Sequence, residues 1–417
     1  MVNTGNVSMK NPGLSKVPVL LRASILGVLL SSSVPAFADA TSDSMKVMAN
    51  KIEALQNQLS QMTSGMASHS GGDQGLPLHG FMDVGFATNT MADPVAYPTG
   101  FYVGSLSFYL TPHFGDKVKA LVEPNFEIAS DGSLSTDLER AQIGYTFSDA
   151  ATLWAGRFHT PYGYWNTGFH HGAQMQTSVM RPRFLDFEDK GGVLPAHMVG
   201  LWGAGKIRAG AGKFTYDVFA GNGPKIVMGA DPLTGLGIQD INFAGDNNHQ
   251  AMVGLNLGYE FSGSMNGLRV AVHSLRGDVD DDNALPNKTE LNMVGGSLVY
   301  LENDWELLTE LYRFNDNDKS GLTGSHKSSA SYLQIGKSFN NLTPYIRKEV
   351  ANLSQQDNYF SMQASGQSYS RELLGFKYDL DPKASLKLEW HYSNFEAETG
   401  RTPAKYHSLY TQYAIRF

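Results

Sequence analysis

From Leu78 to the C-terminus, apolar and polar side chains alternate with a period of two residues, and this alternation is the strongest constraint on the fold. A period of two is the side-chain period of a β-strand, whose successive residues point to opposite faces. The alternation predicts sixteen strands, at about 78–89, 101–112, 117–128, 137–147, 151–160, 196–204, 209–220, 250–261, 267–276, 289–301, 304–314, 328–338, 342–350, 369–380, 384–396 and 405–417.

The connections between these predicted strands alternate between short turns such as "SDA" and long polar loops such as "GDVDDDNALPN". Short turns at one end and long loops at the other are typical of outer-membrane barrels, whose tilted strands need about 9–11 residues to cross a bilayer. A barrel of sixteen strands is too wide for side chains to fill, so polar faces should line water and apolar faces should contact lipid. We therefore predict an all-β fold, a 16-stranded antiparallel transmembrane β-barrel over residues 78–417.

The N-terminal region predicts a targeting segment. Lys10, Lys16 and Arg22 precede or flank the short apolar stretch "ASILGVLLSSSV", and "AFA" supplies small residues for cleavage. We interpret residues 1–38 as a signal peptide. A membrane anchor is the alternative, which the shortness of the apolar stretch disfavours.

A helical pattern follows the signal peptide. From Met45 to Met66, apolar residues recur with gaps of three and four, which predicts a short periplasmic coiled-coil helix within residues 39–67. A single amphipathic helix lying on its own domain is the alternative. Residues 68–77, which contain "SHSGGDQG", are predicted to form a flexible linker.

Charge and cysteine content exclude several kinds of site. Without residues 1–38 the chain has 29 Lys and Arg (32 less 3) against 40 Asp and Glu, a net charge of −11, which disfavours a nucleic-acid partner. The absence of Cys excludes disulfides, thiolate metal sites and covalent haem attachment through C-x-x-C-H. We predict no cofactor and no resident metal.

The predicted third external loop, residues 161–195, is long and rich in aromatic residues, so we expect it to pack inside the barrel. Charged residues in this loop could form a pore constriction that filters solutes, or they could pair with one another and with the wall and only hold the loop. The two adjacent histidines of this loop are also candidate metal ligands. Adjacent side chains point in different directions, which disfavours a shared metal ion. The candidate residues are His170, His171, Arg181, Arg183, Asp186, Glu188, Asp189 and Lys190.

Strand parity predicts which wall residues face the lumen. The basic ones are Lys119, Arg140, Arg157, Lys213, Arg269, Arg347, Arg371, Lys377, Lys387 and Arg416, with His159 beside them in the pore lining. The acidic ones are Asp83, Glu123, Glu127, Asp217, Glu260, Glu306, Glu310, Glu349, Asp379 and Glu389. With ten bases against ten acids, the predicted lining has no basic excess, so the sequence assigns the channel neither anion nor cation preference. The acidic loops are candidates for divalent cations at a lipopolysaccharide surface.

These features together resemble the trimeric Gram-negative porins, in particular the phosphate-selective O/P type and relatives with a periplasmic coiled coil. The resemblance rests on the apolar heptad pattern from Met45 to Met66, the sixteen strands, the long third loop and the terminal Phe417. It implies a homotrimer in the outer membrane, an inward third loop, and recognition of Phe417 by the barrel-assembly machinery. The lumen shows no row of arginines and lysines like that of phosphate-selective members.

Two functions follow as hypotheses. The first is a passive diffusion channel for small hydrophilic or charged solutes. The second is a barrel that sheathes a partner, such as an outer-membrane electron-transfer cytochrome that brings its own haem. An enzyme is disfavoured, because no nucleophile–base pair and no carboxylate pair stands out from the lumen charges.

Overall fold

The computed structural model describes residues 78–90, 99–128, 132–169, 173–190, 192–231, 234–242, 244–283, 285–398, 401 and 403–417. The predicted signal peptide, coiled-coil helix and linker lie outside the described residues. No helix in the described part of the chain combines the length and the apolarity needed to cross a membrane.

Sixteen long antiparallel strands form the described fold, and each one pairs with its neighbour along the chain. They are β1 Leu78–Asn89, β2 Gly100–Leu110, β3 Val118–Ile128, β4 Leu134–Ser148, β5 Ala151–His159, β6 His197–Ala209, β7 Gly212–Asn222, β8 Ala251–Glu260, β9 Leu268–Asp281, β10 Lys288–Glu302, β11 Trp305–Asp318, β12 Ser325–Lys337, β13 Leu342–Asn352, β14 Tyr369–Asp381, β15 Ala384–Phe395 and β16 Ala404–Arg416. The predicted number of strands is confirmed.

The sheet closes on itself, because β16 pairs with β1. Phe81 lies opposite Arg416, and the backbone of Phe417 exchanges hydrogen bonds of 2.9 and 3.0 Å with Gly80. Closure leaves neither terminal strand with an unpaired edge, which is the requirement for a sheet in hydrocarbon.

Short elements occupy the connections. They are α1 Trp165–Gly168, α2 Asn358–Ser361, the 3₁₀ turns Arg183–Leu185, Glu188–Lys190 and Gly263–Met265, and the short strands His113–Phe114, Pro224–Val227 and Ile238–Ile241. The last two strands pair with each other as a hairpin within the loop between β7 and β8.

The two faces of the wall differ as the alternation predicts. On β11, Leu311 is 61% exposed, whereas Glu310 and Tyr312 beside it are buried. On β15, Leu388 is exposed and Glu389 is fully buried. Apolar side chains therefore cover the outside of the closed barrel, and polar and aromatic side chains face its interior.

Several strands are longer than predicted, among them β4, β6, β9 and β11. In β9 a charge pair explains the extension. The sequence predicts that the ninth strand ends near residue 276, but β9 continues to Asp281. Asp280 lies opposite Lys288 on β10, and the carboxylate and ammonium are 3.4 Å apart. This cross-strand ion pair stabilises an acidic segment that the composition alone assigns to a loop.

Candidate channel interior

Loop 3, defined as residues 161–195, packs against the inner face of the wall. Its first attachment is Glu310 on β11, whose carboxylate is fully buried. The backbone N–H groups of Tyr164 and Trp165, at the start of α1, each donate to Glu310 over 2.8 Å. The hydroxyls of Tyr312 and Tyr332 donate to the same carboxylate, also over 2.8 Å. Four donors thus satisfy one buried anion and fix the loop to β11.

Glycine makes this close approach possible at Gly163, whose φ is +65°. A Cβ atom there would lie 2.2 Å from Oε2 of Glu310 and 2.4 Å from the hydroxyl oxygen of Tyr312. Only a residue without a side chain fits both the left-handed backbone and the space.

The second attachment is Glu349 on β13. It accepts from the backbone N–H of Arg183 over 2.9 Å and from the Tyr369 hydroxyl over 3.0 Å. Arg347 pairs with Glu349 over 2.9 Å. The Arg347 guanidinium also donates to the backbone oxygens of Met180 and Arg181 over 3.0 and 3.2 Å. The wall therefore binds both donors and acceptors of the loop backbone.

The third attachment is Glu389 on β15. Its carboxylate accepts from the backbone N–H groups of Val179 and Met180 over 2.8 and 3.1 Å. The Tyr345 hydroxyl and a ring nitrogen of His391 complete its contacts, at 2.6 and 2.5 Å. Glu310, Glu349 and Glu389, together called the anchor glutamates below, hold loop 3 at three points along its length. Lys387 adds contacts to the backbone oxygens of Ala173 and Ser178.

Aromatic packing fills the space between the loop and the wall. Trp165 and Phe184 from loop 3 are buried against Tyr312 and Tyr332, with ring centroids 5.2–6.4 Å apart in the pairs that they form. Burial of large aromatic surfaces stabilises the loop in addition to its hydrogen bonds.

The predicted constriction residues fall into three groups. His170 and His171 lie outside the described residues, as does the side chain of Asp189. Lys190 is partly exposed and pairs with Glu127 on β3. The remaining four, Arg181, Arg183, Asp186 and Glu188, are buried.

The buried arginines contact loop and wall groups. Arg181 donates to the backbone oxygen of Leu185 and to Oδ1 of Asn166, and its guanidinium lies 4.0 Å from the ring centroid of Phe187. The Arg183 guanidinium lies 4.7 Å from the ring centroid of Phe395. These contacts place both cations inside the packed loop.

Burial changes the ionisation of loop groups. It raises the pKa of the Tyr164 phenol to about 12 and lowers the pKa of the Arg181 guanidinium. Burial by itself raises the pKa of Glu188, but the adjacent His197 outweighs burial and holds this pKa below its ordinary value.

The predicted pore-lining residues divide by exposure. Those that are buried are Glu123, Arg157, His159, Arg347, Arg371, Lys387 and Glu389. Those that retain contact with solvent are Lys119, Arg140, Lys213, Asp217, Arg269, Lys377 and Arg416. Two of the residues in contact with solvent form ion pairs. Arg140 pairs with Glu123 over 2.7 Å, and Lys377 pairs with Asp379 over 3.1 Å.

Among the described residues, two cavities are lined in part by loop 3. One of about 660 Å³ is lined by the loop residue Gln174 together with Lys377, Asp379 and Arg416 near the β16 end of the wall. The other, of about 420 Å³, is lined by Asp137, Glu139, Glu188, His197 and Asp240, among others. Both cavities carry charged side chains of mixed or acidic character.

Two further loops also pack inward, which the sequence pattern does not predict. Gln239, in the hairpin of Ile238–Ile241, donates to the backbone oxygen of Val193 and contacts the Tyr359 hydroxyl. Tyr359 belongs to α2, and its hydroxyl also donates to Val193 over 2.5 Å. The aromatic pair in "NYF" is the sequence signal that could have indicated a packed rather than a solvated loop.

No protein-family model matches the chain, and no curated protein matches it in sequence. Solved structures resemble the fold. The anion-selective porin from Comamonas acidovorans aligns with a TM-score of 0.53 at 11% identity, over 82% of this chain and 99% of that chain. OmpT of Vibrio cholerae in its trimer form aligns with a TM-score of 0.52 at 9% identity, over the same shares.

A third structure, Salmonella typhi OmpF in complex with daunomycin, aligns with a TM-score of 0.50 at 12% identity, over 82% of this chain and 97% of that chain. At such identities the similarity is one of fold. The described part of the chain is thus a closed sixteen-stranded barrel that shares its fold with these proteins.

Proposed function

We propose that this protein is an outer-membrane porin, a passive diffusion channel for small hydrophilic or charged solutes whose passage is narrowed by loop 3. The observation that carries the proposal is the attachment of loop 3 to the inner wall by the anchor glutamates. A loop held at three buried points keeps a fixed position across the lumen, which is what a size-selecting constriction requires.

The same contacts indicate which charged groups are available to solutes in the constriction. Arg181 and Arg183 are engaged inside the packed loop and serve to hold it. The groups offered to solutes are instead the wall charges that retain contact with solvent, such as Lys119, Lys377 and Arg416, with Lys190 of the loop. Asp189 remains a proposed member of the constriction. His170 and His171 remain proposed members of the constriction.

The assembly and location are part of the proposal. We infer a homotrimer in the Gram-negative outer membrane, with lipid and lipopolysaccharide around the barrel and an N-terminal coiled-coil helix in the periplasm. The exposed apolar outer face and the trimeric form of one structural neighbour support it. Phe417, at the end of β16, is the proposed recognition signal for the barrel-assembly machinery.

A sheath for a cytochrome is the second candidate, and the structure gives it less support. Such a partner needs space along the barrel axis, whereas loop 3 and α2 of this chain pack into that space. We propose no enzymatic activity and no cofactor for the channel.

The test is the current across a planar bilayer that contains the purified protein. We expect stepwise conductance, with three equal steps for a trimer. Replacing residues 173–190 with a short Gly-Ser linker should increase the single-channel conductance, because it removes the middle of loop 3.

The matched control shortens the turn between β11 and β12 from Ser320 to Gly324, which is exposed throughout. It should leave the conductance unchanged. A folded, inserted barrel that carries no current would contradict the channel and favour the sheath.

A further inference from the structure

Three side chains on adjacent strands meet beside loop 3: Glu139 on β4, His159 on β5 and His197 on β6. Among the described residues they form a group whose ligand atoms all lie within 4.8 Å of one another, and all three side chains are buried. The Nε2 atoms of the two histidines are 3.1 Å apart, and Nε2 of His197 is 2.8 Å from Oε2 of Glu139.

The other ring nitrogen of each histidine, Nδ1, lies within hydrogen-bond distance of an acceptor oxygen. Nδ1 of His159 lies 3.1 Å from the backbone oxygen of Asn166, and Nδ1 of His197 lies 2.9 Å from Oε2 of Glu188. A carbonyl oxygen and a carboxylate oxygen only accept hydrogen bonds, so each Nδ1 carries the hydrogen. Without a metal ion, Nε2 of His197 can also carry a hydrogen and donate it to Glu139. When a metal ion displaces that hydrogen, the Nε2 lone pairs of both rings point at each other and toward Glu139.

Three acceptor atoms at this spacing need a positive charge between them, which a proton on Nε2 of His197 or a metal ion supplies. Ligand atoms about 2.0–2.2 Å from a tetrahedral zinc ion lie roughly 3.3–3.6 Å from one another. Two of the separations here are 3.1 and 2.8 Å and all three are within 4.8 Å, so small side-chain shifts bring the three atoms around one ion. Histidines whose Nδ1–H donates to a carboxylate or a backbone carbonyl are the usual arrangement around such an ion.

We propose that Glu139, His159 and His197 bind a divalent transition-metal ion of the zinc type. Glu188 and Asn166 orient the two histidines, and the ring of Phe187 stacks on His197 with centroids 5.6 Å apart. The cavity of about 420 Å³ next to Glu139 and His197 supplies the entry path. Asp137 and Asp240 line it and favour a cation, whereas Arg157, 3.8 Å from Glu139, opposes one.

The ion would act on the position of loop 3. His159 ends β5 and His197 begins β6, so both ends of the loop meet at the site, and Asn166 and Glu188 belong to the loop itself. A bound ion ties these ends to β4 through Glu139. This inference does not depend on the channel, because a barrel that carries no current can still bind the metal.

The experiment uses the full chain, folded in detergent, treated with a chelator and then titrated with Co²⁺. We expect one Co²⁺ per chain with the visible absorption of a four-coordinate site, displaced by Zn²⁺. His159→Ala should abolish the spectrum. Glu188→Gln should weaken binding about 10–100-fold, the usual effect of removing a group that orients a ligand.

The matched control is His273→Ala, which removes a buried histidine elsewhere in the wall and should leave Co²⁺ binding intact. If His159→Ala fails to fold, Glu139→Gln, which preserves shape, replaces it and should weaken binding at least tenfold. A wild-type chain without a saturable Co²⁺ spectrum would show that a proton, not a metal, lies between the histidines. Full binding by the folded His159→Ala chain, or by the Glu139→Gln chain used in its place, would equally overturn the proposal.

Discussion

At the scale of the residue, buried carboxylates are the decisive groups in this barrel. A carboxylate inside a protein is costly unless hydrogen bonds satisfy it. Each anchor glutamate meets that requirement with backbone N–H groups of loop 3 and with tyrosine hydroxyls of the wall. The same side chain therefore satisfies its own burial and fixes the loop.

Glu310→Gln tests this role. The glutamine amide brings a donor to a position where four donors already converge, so at least one contact to Tyr164 or Trp165 is lost. We expect the free energy of local opening of α1 to fall by about 1–3 kcal/mol. Hydrogen exchange of the loop amides measures it. Glu372→Gln, at a 58% exposed side chain paired with Lys348, is the control and should have no effect on the loop.

Gly163→Ala tests the close approach at the same site. The added methyl group lies within 2.4 Å of both Glu310 and Tyr312, so the start of loop 3 must move away from β11. We expect faster hydrogen exchange in α1 and noisier single-channel current. Gly321→Ala is the control, because Gly321 also has a positive φ, +79°, but no atom lies near its Cβ position. If Gly163→Ala and Gly321→Ala had equal effects, backbone strain alone would explain the result.

At the scale of the element, the seam between β1 and β16 depends on how the last residue packs. The ring of Phe417 lies over Gly80, where a Cβ atom would be 2.3 Å from the ring, and it contacts Phe108 with centroids 6.0 Å apart. The terminal aromatic thus has a structural position in the closed barrel in addition to its proposed role in assembly.

Gly80→Ala should displace the Phe417 ring and reduce the yield of closed barrel. Folding into lipid vesicles, followed by the difference in gel migration between unheated and heated samples, measures the yield. Gly203→Ala on β6 is the control, because a Cβ atom there comes no closer than 3.8 Å to its neighbours. An unchanged yield for Gly80→Ala would mean that the ring can move without cost to closure.

At the scale of the whole molecule, the balance of lumen charges should set the ion preference of the proposed channel. Of the lumen charges predicted from parity, six basic and five acidic side chains retain contact with solvent. The basic ones are Lys119, Arg140, Lys213, Arg269, Lys377 and Arg416. The acidic ones are Glu127, Asp217, Glu260, Glu306 and Asp379. The remaining charges are buried, most of them against loop 3.

We therefore expect weak ion selectivity. In a tenfold salt gradient, the reversal potential should lie close to zero, and raising the ionic strength should reduce it further by screening. Lys377→Glu should shift it toward cation preference, whereas Lys348→Glu, at an exposed pair with Glu372, should not. A large reversal potential of either sign in the wild type would contradict an even balance.

The sequence alone determined the barrel and the two faces of its wall. Period-two alternation acts between neighbours, so Leu311 and Glu310 reveal their opposite faces without knowledge of any partner. The number of strands follows from the same alternation. The ends of strands, such as Asp281, do not, because cross-strand pairs determine where a strand ends.

Only the tertiary structure decided what the inward charges do. Glu310 and Trp165 are 145 residues apart, and no local pattern reports that one satisfies the other. The same holds for Gln239 with Tyr359, and for Glu139, which joins His159 and His197 because three strands bring them together. Burial and hydrogen-bond satisfaction depend on the whole enclosed interior, so residues that a strand pattern assigns to a watery lumen become the attachment points of a packed loop.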